Sequence, residues 1–362
     1  GLIRNNVKLS EIERIRRGKP LQIDNFSAGF RGNGLGARIG MGGAKMAAGS
    51  VVPKRPPSSS QAPGSSSKQQ KTPTTAQGVP KTAAKVVPAL TEVLTHSHPR
   101  VKDSANAALA SVGAVIKNPE IAAIVPTLLH ALSEPSSHTQ DALDALAKTQ
   151  FEHYVDTPSL ALIVPVLHRG LRDKASSAKR KTSHITGNMC SLLSERRDIV
   201  PYLPLLLPEL QAVLHDPIPE VRSTGAKALG RLCAGLGEEH FPALLPWLFA
   251  SLEREGSAVE RAGAAQGLAE ILSALGDAKV AEMLPVIIKG CESASVGGRE
   301  GFSMLWTHLP AVLGRRLEPF VKEILPVVLS GLGDEAAPVR ECCFRGAHAI
   351  IREYLEVASR LL

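Results

Sequence analysis

Residues 202–232 read YLPLLLPELQAVLHDPIPEVRSTGAKALGRL, and the spacing of their apolar groups decides the fold. Leu203, Leu206, Leu207, Leu210 and Leu214 recur at intervals of three and four, which puts them on one stripe of a helix. After Asp216-Pro217 a second helix is expected, in which Val221, Leu229 and Leu232 supply bulk while Gly225, Ala226 and Ala228 admit the first helix closely. Pro208 stands inside the first of the two, where proline normally removes a backbone donor and clashes with the preceding turn.

The same frame recurs along the chain. Measured from Pro208, the unit places Leu214, Asp216, Val221 and Arg222 at fixed offsets. Pro326 places Leu332, Asp334, Val339 and Arg340 at those offsets, Pro88 places Leu94, His96, Val101 and Lys102, and Pro165 places Leu171, Asp173, Ala178 and Lys179. Pro126, Pro246 and Pro285 fit more loosely. A proline every 40 residues or so is the period of two-helix repeat arrays. Its return at one register marks a built-in kink rather than a helix end. One helix pair cannot bury both of its faces, so neighbours must stack into a continuous core. The expected fold is therefore all-α, a solenoid of about seven antiparallel helix pairs.

Charge divides the chain differently. Residues 1–85 hold 15 Lys and Arg against 3 Asp and Glu, and residues 86–362 hold 27 against 31, so the formal +8 belongs to the N-terminal part. Within that part a short helix over residues 7–17 is expected, with Leu9, Ile12 and Ile15 on one side, stopped at Gly18-Lys19-Pro20. Residues 27–49 are Gly-rich but carry no phosphate loop: no apolar strand precedes the glycines, and Ala44-Lys45-Met46 stands where Gly-Lys-Ser/Thr is needed. Residues 51–81 are Pro, Ser, Thr, Gln and Lys with scarcely an apolar group, too little to offset ordering entropy. Two regions follow, 1–80 as a disordered, Gly-rich then Pro/Ser-rich basic segment and 81–362 as the solenoid.

Cys190, Cys233, Cys291, Cys342 and Cys343 fall inside expected helices without metal spacing and read as buried thiols of a reducing compartment. No stretch has the roughly 18 uninterrupted apolar residues of a membrane span. His96-Ser97-His98 sits in a turn without Cys or acidic ligands at the usual spacing, which speaks against zinc. No nucleophile with its base and no convergent carboxylate pair can be placed, so neither an enzyme nor a cofactor is expected. Ser159 is expected to cap the first helix of the third pair. An acid stands six residues before a base in Asp173 with Lys179, Asp216 with Arg222 and Asp334 with Arg340, and Arg254 precedes Glu260 with the signs exchanged. The exchange of both signs suggests pairing inside each repeat, since a ladder between repeats would meet like charges.

Residues 151–162, FEHYVDTPSLAL, followed by Lys179-Arg180-Lys181 and Gly187-Asn188-Met189-Cys190, resemble the HEAT-repeat region shared by fungal translation elongation factor three and the large general control protein that activates the kinase of translation initiation factor two. Residues 264–270, AAQGLAE, and 244–248, LLPWL, are closer to the second. The resemblance covers about residues 86–362. It implies a cytoplasmic, ribosome-associated scaffold of the amino-acid starvation response, with the ribosome, the initiation factor two kinase (through other parts of a longer protein) and other translation-control proteins as partners and no membrane. Glu152 and His184 stand where it leads one to expect apolar groups. A helical run over residues 354–362 reads as the start of a further repeat, hence a piece of a longer array. A fragment of an elongation-factor-three-type ATPase and a HEAT transport receptor are the alternatives. Within the basic run Arg169, Arg172, Lys174, Lys179, Arg180, Lys181, Arg196 and Arg197, the residues Lys174, Lys179, Arg180 and Lys181 are the candidate phosphate contacts, on one exposed edge. No aromatic group for base stacking lies nearby, so contact would be to the RNA backbone.

If the register is right, Leu229 is buried between its own pair and a neighbour, and Leu229→Ala costs about 2–5 kcal/mol in chemical denaturation. A loss below about 0.5 kcal/mol, the size of an ordinary surface change, would show the register to be wrong.

Overall fold

The computed structural model describes residues 79–94 and 96–358, with side chains described within 86–354. The helix expected over residues 7–17 and the disordered basic segment expected over residues 1–80 lie outside the described residues, apart from Val79 and Pro80, which open the first helix. Those that are described form fourteen α-helices: α1 (Val79–Val93), α2 (Pro99–Ala114), α3 (Pro119–Ser133), α4 (Pro135–Lys148), α5 (Thr157–Leu171), α6 (Ser176–Leu192), α7 (Leu203–Leu214), α8 (Pro219–Leu236), α9 (Leu244–Leu252), α10 (Ala258–Leu275), α11 (Asp277–Cys291), α12 (Val296–Leu313), α13 (Val321–Gly331) and α14 (Ala337–Ala358). They make the seven pairs expected. Short 3-10 turns at Arg196–Tyr202, Glu238–His240 and Gly314–Phe320 lead into α7, α9 and α13. Among the described residues the β-structure is one isolated parallel bridge, Val155 with Leu193, and not a sheet.

The prolines behave as their register implies, with one exception. Pro88, Pro126, Pro165, Pro208, Pro285 and Pro326 lie inside their first helices. Pro246 instead occupies the first turn of the short α9, which begins at Leu244. There its missing N–H is one that an intrahelical bond would not have used.

Stacking runs through the second helices: α6 packs on α8, α8 on α10, α10 on α12 and α12 on α14. Leu229 is fully buried, as are Leu206, Leu210 and Leu214 of its own pair. The first pair departs from the regular order, since α1 packs against α5 of the third pair as well as against its own partner α2. The sequence of α5 explains why it attracts a further neighbour: residues 159–167 are buried without interruption, so this helix is apolar all round and has to be covered on every side.

Several local expectations change. Asp156, not Ser159, caps α5, its carboxylate accepting from the Ser159 N–H at 3.0 Å while Ser159 itself is buried. Between α3 and α4 the turn is Glu134 alone, with Pro135 opening α4. Glu152 is exposed in the connection between α4 and α5, and His184 is half-buried with its ring near the Asn188 amide, so neither interrupts the core. The path of α14 breaks at Tyr354, whose φ of −127° and ψ of 37° are not helical.

Close approach between pairs falls on glycine. A Cβ on Gly263 of α10 would run into the Leu214 carbonyl at the end of α7, and one on Gly301 of α12 would run into the Leu252 carbonyl at the end of α9. Alanine at 263 gains about 1 kcal/mol of helix propensity, yet overpacking against a backbone atom costs about 1–3 kcal/mol. Gly263→Ala should therefore lower the melting temperature. Gly256→Ala, where an added Cβ meets nothing within 4 Å, should not.

Candidate functional site

The turn after α5 carries the basic run, and its geometry separates cations that hold the fold from those that face outward. Arg169 is half-buried, and its Nη1 donates to the Ala131 carbonyl at 3.0 Å. Arg172 has a side chain 63% exposed, with Nε 3.7 Å from Glu209. Lys174 is exposed. Lys179 is half-buried and its Nζ donates to the Asp216 carboxylate at 2.6 Å, while Lys181 pairs with Asp144 of α4. Arg180 is half-buried, as is Arg196, and Arg197 is exposed. The four candidates thus do not share one exposed edge. Lys179 and Lys181 are spent on joints between repeats, each paired directly with an acid of a neighbouring pair.

The expected pairing inside repeats holds at Arg254 with Glu260, 2.5 Å apart. Elsewhere it gives way to a different arrangement. Arg222 Nη1 donates to the carbonyls of Asp216 and Pro217 at 2.8 and 3.0 Å, and Arg340 Nη1 to those of Asp334 and Glu335 at 2.6 and 2.8 Å. Arg299 does the same to Ser293 and Ala294 at 3.1 and 3.2 Å, and Arg261 to Arg254 and Glu255 at 2.5 and 3.2 Å. Each arginine opens a second helix and clamps the turn before it, whose carbonyls lie beyond the end of the first helix and have no partner in a helical ladder. Among these four, only Arg261 stands seven residues from its first carbonyl, where the others stand six. The turn holding Gly256 is one residue longer, so Arg261 and not Glu260 is the equivalent of Arg222. The apparent exchange of signs came from that shift of register.

The acids turn to the repeat before. Asp216 takes Lys179, Asp334 takes Arg299 at 2.7 Å, and Asp173 accepts from the Gln140 amide at 3.4 Å and from the Ala175 N–H at 2.8 Å. Arg261 finds Glu300 at 2.5 Å, with both side chains close to fully buried. A ladder between repeats therefore exists, contrary to the expectation from sequence. Arg261 and Glu300 were not singled out, although Arg261-Ala262-Gly263 and Arg299-Glu300-Gly301 repeat one pattern of cation, variable residue and close-packed glycine.

Electrostatics agrees with the geometry. Burial works against the charge of Asp216, but the Lys179 ammonium and the Ile218 N–H outweigh it and hold the carboxyl below its ordinary range. The Arg299 guanidinium does the same for Asp334. Burial pushes the Cys190 thiol up to about 11 and those of Cys233 and Cys291 up to about 12, which makes them inert rather than nucleophilic. The His96 Nδ1 faces the His98 N–H at 3.1 Å, and among the described residues no group of three or more His, Cys, Asp and Glu could hold a metal. No described helix is long and apolar enough to cross a membrane.

Repeated helix pairs, a proline in the first helix and an arginine clamp opening the second define an α-solenoid of the HEAT type. Residues 138–243 match the family described as Elongation factor 3/GNC1 HEAT repeat, a stretch that contains the 151–162, 179–181 and 187–190 segments quoted above. Protein ILITYHIA of Arabidopsis thaliana is 48% identical over 276 residues, 75% of this chain and 10% of that protein. Stalled ribosome sensor GCN1 of Homo sapiens is 44% identical over 279 residues, and eIF-2-alpha kinase activator GCN1 of Saccharomyces cerevisiae is 42% identical over 277, each covering 76% of this chain and 10% of the relative. Elongation factor 3 of Mycosarcoma maydis matches 41% of the chain at 34% identity. The chain is thus similar to the HEAT repeats of elongation factor 3 and GCN1, and its homologues at 42–48% identity are of the GCN1 kind. The chain spans 10% of the length of those relatives.

Because Asp216 has a lowered pKa in the folded protein, its contribution is present above the unfolded value near 3.9 and is lost as pH falls through the folded value. Asp216→Asn should cost about 1.5–3 kcal/mol at pH 7, the worth of a hydrogen bond to a charged group. The difference from the parent chain should shrink steadily below about pH 4. A difference that stays constant down to pH 2, measured by urea denaturation, would mean that the Lys179 pair does not stabilise this joint.

Proposed function

We propose that the chain is part of a ribosome-associated HEAT scaffold of translational control, acting where the kinase of initiation factor two is activated under amino-acid starvation. The observation that carries this reading is its identity, 44% and 42%, to proteins named stalled ribosome sensor and eIF-2-alpha kinase activator. It favours that role over an elongation-factor-three-type ATPase, whose match covers 41% of the chain against 76%, and no observation favours a transport receptor. On this reading the chain is not an enzyme and works in the cytoplasm. Its solenoid is residues 81–362, its basic segment is residues 1–80, and the ribosome is the partner it touches. The kinase and other translation-control proteins are met through other parts of a longer protein.

Within the solenoid the docking charge falls to the cations that the fold leaves outward. Lys174 stands exposed in the turn between α5 and α6, where a phosphate can approach without breaking a joint, and Arg172 beside it is 63% exposed and held only by the 3.7 Å contact to Glu209. Of the other candidates, Lys179 and Lys181 act indirectly by fixing that turn against its neighbours, and Arg180 lies half-buried behind it. Co-sedimentation of the full chain with purified ribosomes across a salt series tests this assignment. The double variant Arg172→Gln/Lys174→Gln should bind more weakly, with a salt slope smaller by about one unit per lost phosphate contact, and should melt as the parent does. Lys179→Gln should lower the melting temperature before it alters the slope. Unchanged affinity and slope in the double variant would remove the turn from the docking surface.

A further inference from the structure

From the third pair to the sixth each second helix brings a cation, Lys179, Arg222, Arg261 or Arg299, to the joint that follows, and at one of these four joints no carboxylate meets it. Lys179 has Asp216, Arg299 has Asp334, and Arg261 has Glu300. At the joint between the fourth and fifth pairs, the position equivalent to Asp216 is Arg254, which carries the same sign as Arg222 and is engaged with its own Glu260. Glu300 has no counterpart there either. It stands between Arg299 and Gly301, and in the preceding repeat the residue between Arg261 and Gly263 is Ala262. The two glycines are matched in their surroundings: an added Cβ on Gly301 would meet the Arg261 side chain and the Leu252 carbonyl, and one on Gly263 the Arg222 side chain and the Leu214 carbonyl. Arg222 therefore crosses to the next repeat as Arg261 does and arrives at a methyl group instead of a carboxylate.

A cavity of about 290 Å³ opens at that point, lined by Arg222, Ser223, Ala262, Gln266 and His308, with Glu220 also on its wall. Arg222 spends Nη1 on its own turn, and its Nε and Nη2 have no hydrogen-bond partner among the described residues. Nor do the Ser223 hydroxyl, the Gln266 amide or the His308 ring. No described carboxylate, Glu220 included, forms an ion pair with Arg222. Burial first, then the guanidiniums of Arg222 and Arg345, push the His308 pKa down to about 4, so its neutral ring offers one N–H at pH 7.

We propose that this cavity is a vacant carboxylate site, filled by an acidic side chain of a protein segment that lies across α8, α10 and α12 and takes at Arg222 the place that Glu300 takes at Arg261. The donors suit a planar carboxylate: a guanidinium edge for bidentate contact, with an amide, a hydroxyl and an imidazole around it. A bare ion would leave most of the volume empty, whereas a glutamate side chain brings its own methylenes against Ala262.

The test is fluorescence anisotropy of the full chain with a fluorescein-labelled peptide of alternating glutamate and glycine, with the glutamine–glycine peptide as control. The glutamate peptide should bind saturably and the control should not. Ala262→Glu supplies the missing carboxylate from within, so it should weaken peptide binding at least about tenfold, the worth of one charged hydrogen bond, without lowering the melting temperature. His308→Ala and Gln266→Ala should each weaken binding several-fold, and they carry the test if Ala262→Glu does not fold. Equal binding by parent and all variants overturns the proposal, as does equal affinity for the control peptide or no saturation up to about 1 mM. If poly(U) binds in a manner blocked by Ala262→Glu while the glutamate peptide does not, the site takes nucleic acid and the proposal fails. None of these outcomes depends on ribosome binding.

Discussion

The carbonyl groups of the turn that links each first helix to its second are the constraint on which the joints of this protein rest. They lie beyond the hydrogen-bond ladder of either helix, and a turn carbonyl that faces inward without a partner is costly. From the fourth pair to the seventh the solution is one guanidinium per repeat. Arginine carries five donors in a fixed fork, enough for two carbonyls and a carboxylate together. Arg299 uses all of this capacity, holding the Ser293 and Ala294 carbonyls with one nitrogen and Asp334 of the following repeat with the others. The same side chain closes its own turn and fixes the next pair against it. In the third pair Lys179 goes to Asp216, and its turn keeps only the contact that Asp216 and Asp334 also make in theirs, an aspartate accepting from the backbone N–H two residues on, here Asp173 from Ala175.

This division explains what could be read from residues alone. The proline period and the apolar stripe identified the seven pairs because burial writes itself into side-chain spacing. Leu206, Leu210, Leu214 and Leu229 are all fully buried where the pattern placed them. Partners in the charge network were misread because the competitors for each cation are backbone carbonyls, which every residue has and no sequence distinguishes. Asp216 and Arg222 are indeed linked, but through the Asp216 carbonyl, while its carboxylate faces Lys179. The single extra residue near Gly256 then disguised Arg261 as an unremarked neighbour of Glu260. A count anchored on the tight glycines, Gly263 and Gly301, recovers the register, since the need for close approach survives a change in turn length. The packing of α1 on α5 had a readable cause in the unbroken apolar run of α5, yet that run says only that the helix needs cover and not which helix supplies it.

The network also changes how surface charge in such an array should be weighed. A run of basic residues invites a phosphate reading as a whole, but cations already paired across a joint must give up that pair to meet a phosphate, and Lys174 in the open turn gives up only water. Lys174 and Lys179 differ in this respect although five residues apart in the same run. The reverse holds for Arg222, which is half-buried and would be passed over in any search for exposed charge. Its significance comes from comparison with its own copies, because three of the joints around it show what a cation at this position is paired with. Internal repetition thus acts as a control built into the chain: where one repeat omits a partner that its neighbours supply, and leaves a cavity with unmet donors in its place, the omission points to a carboxylate that comes from outside the solenoid.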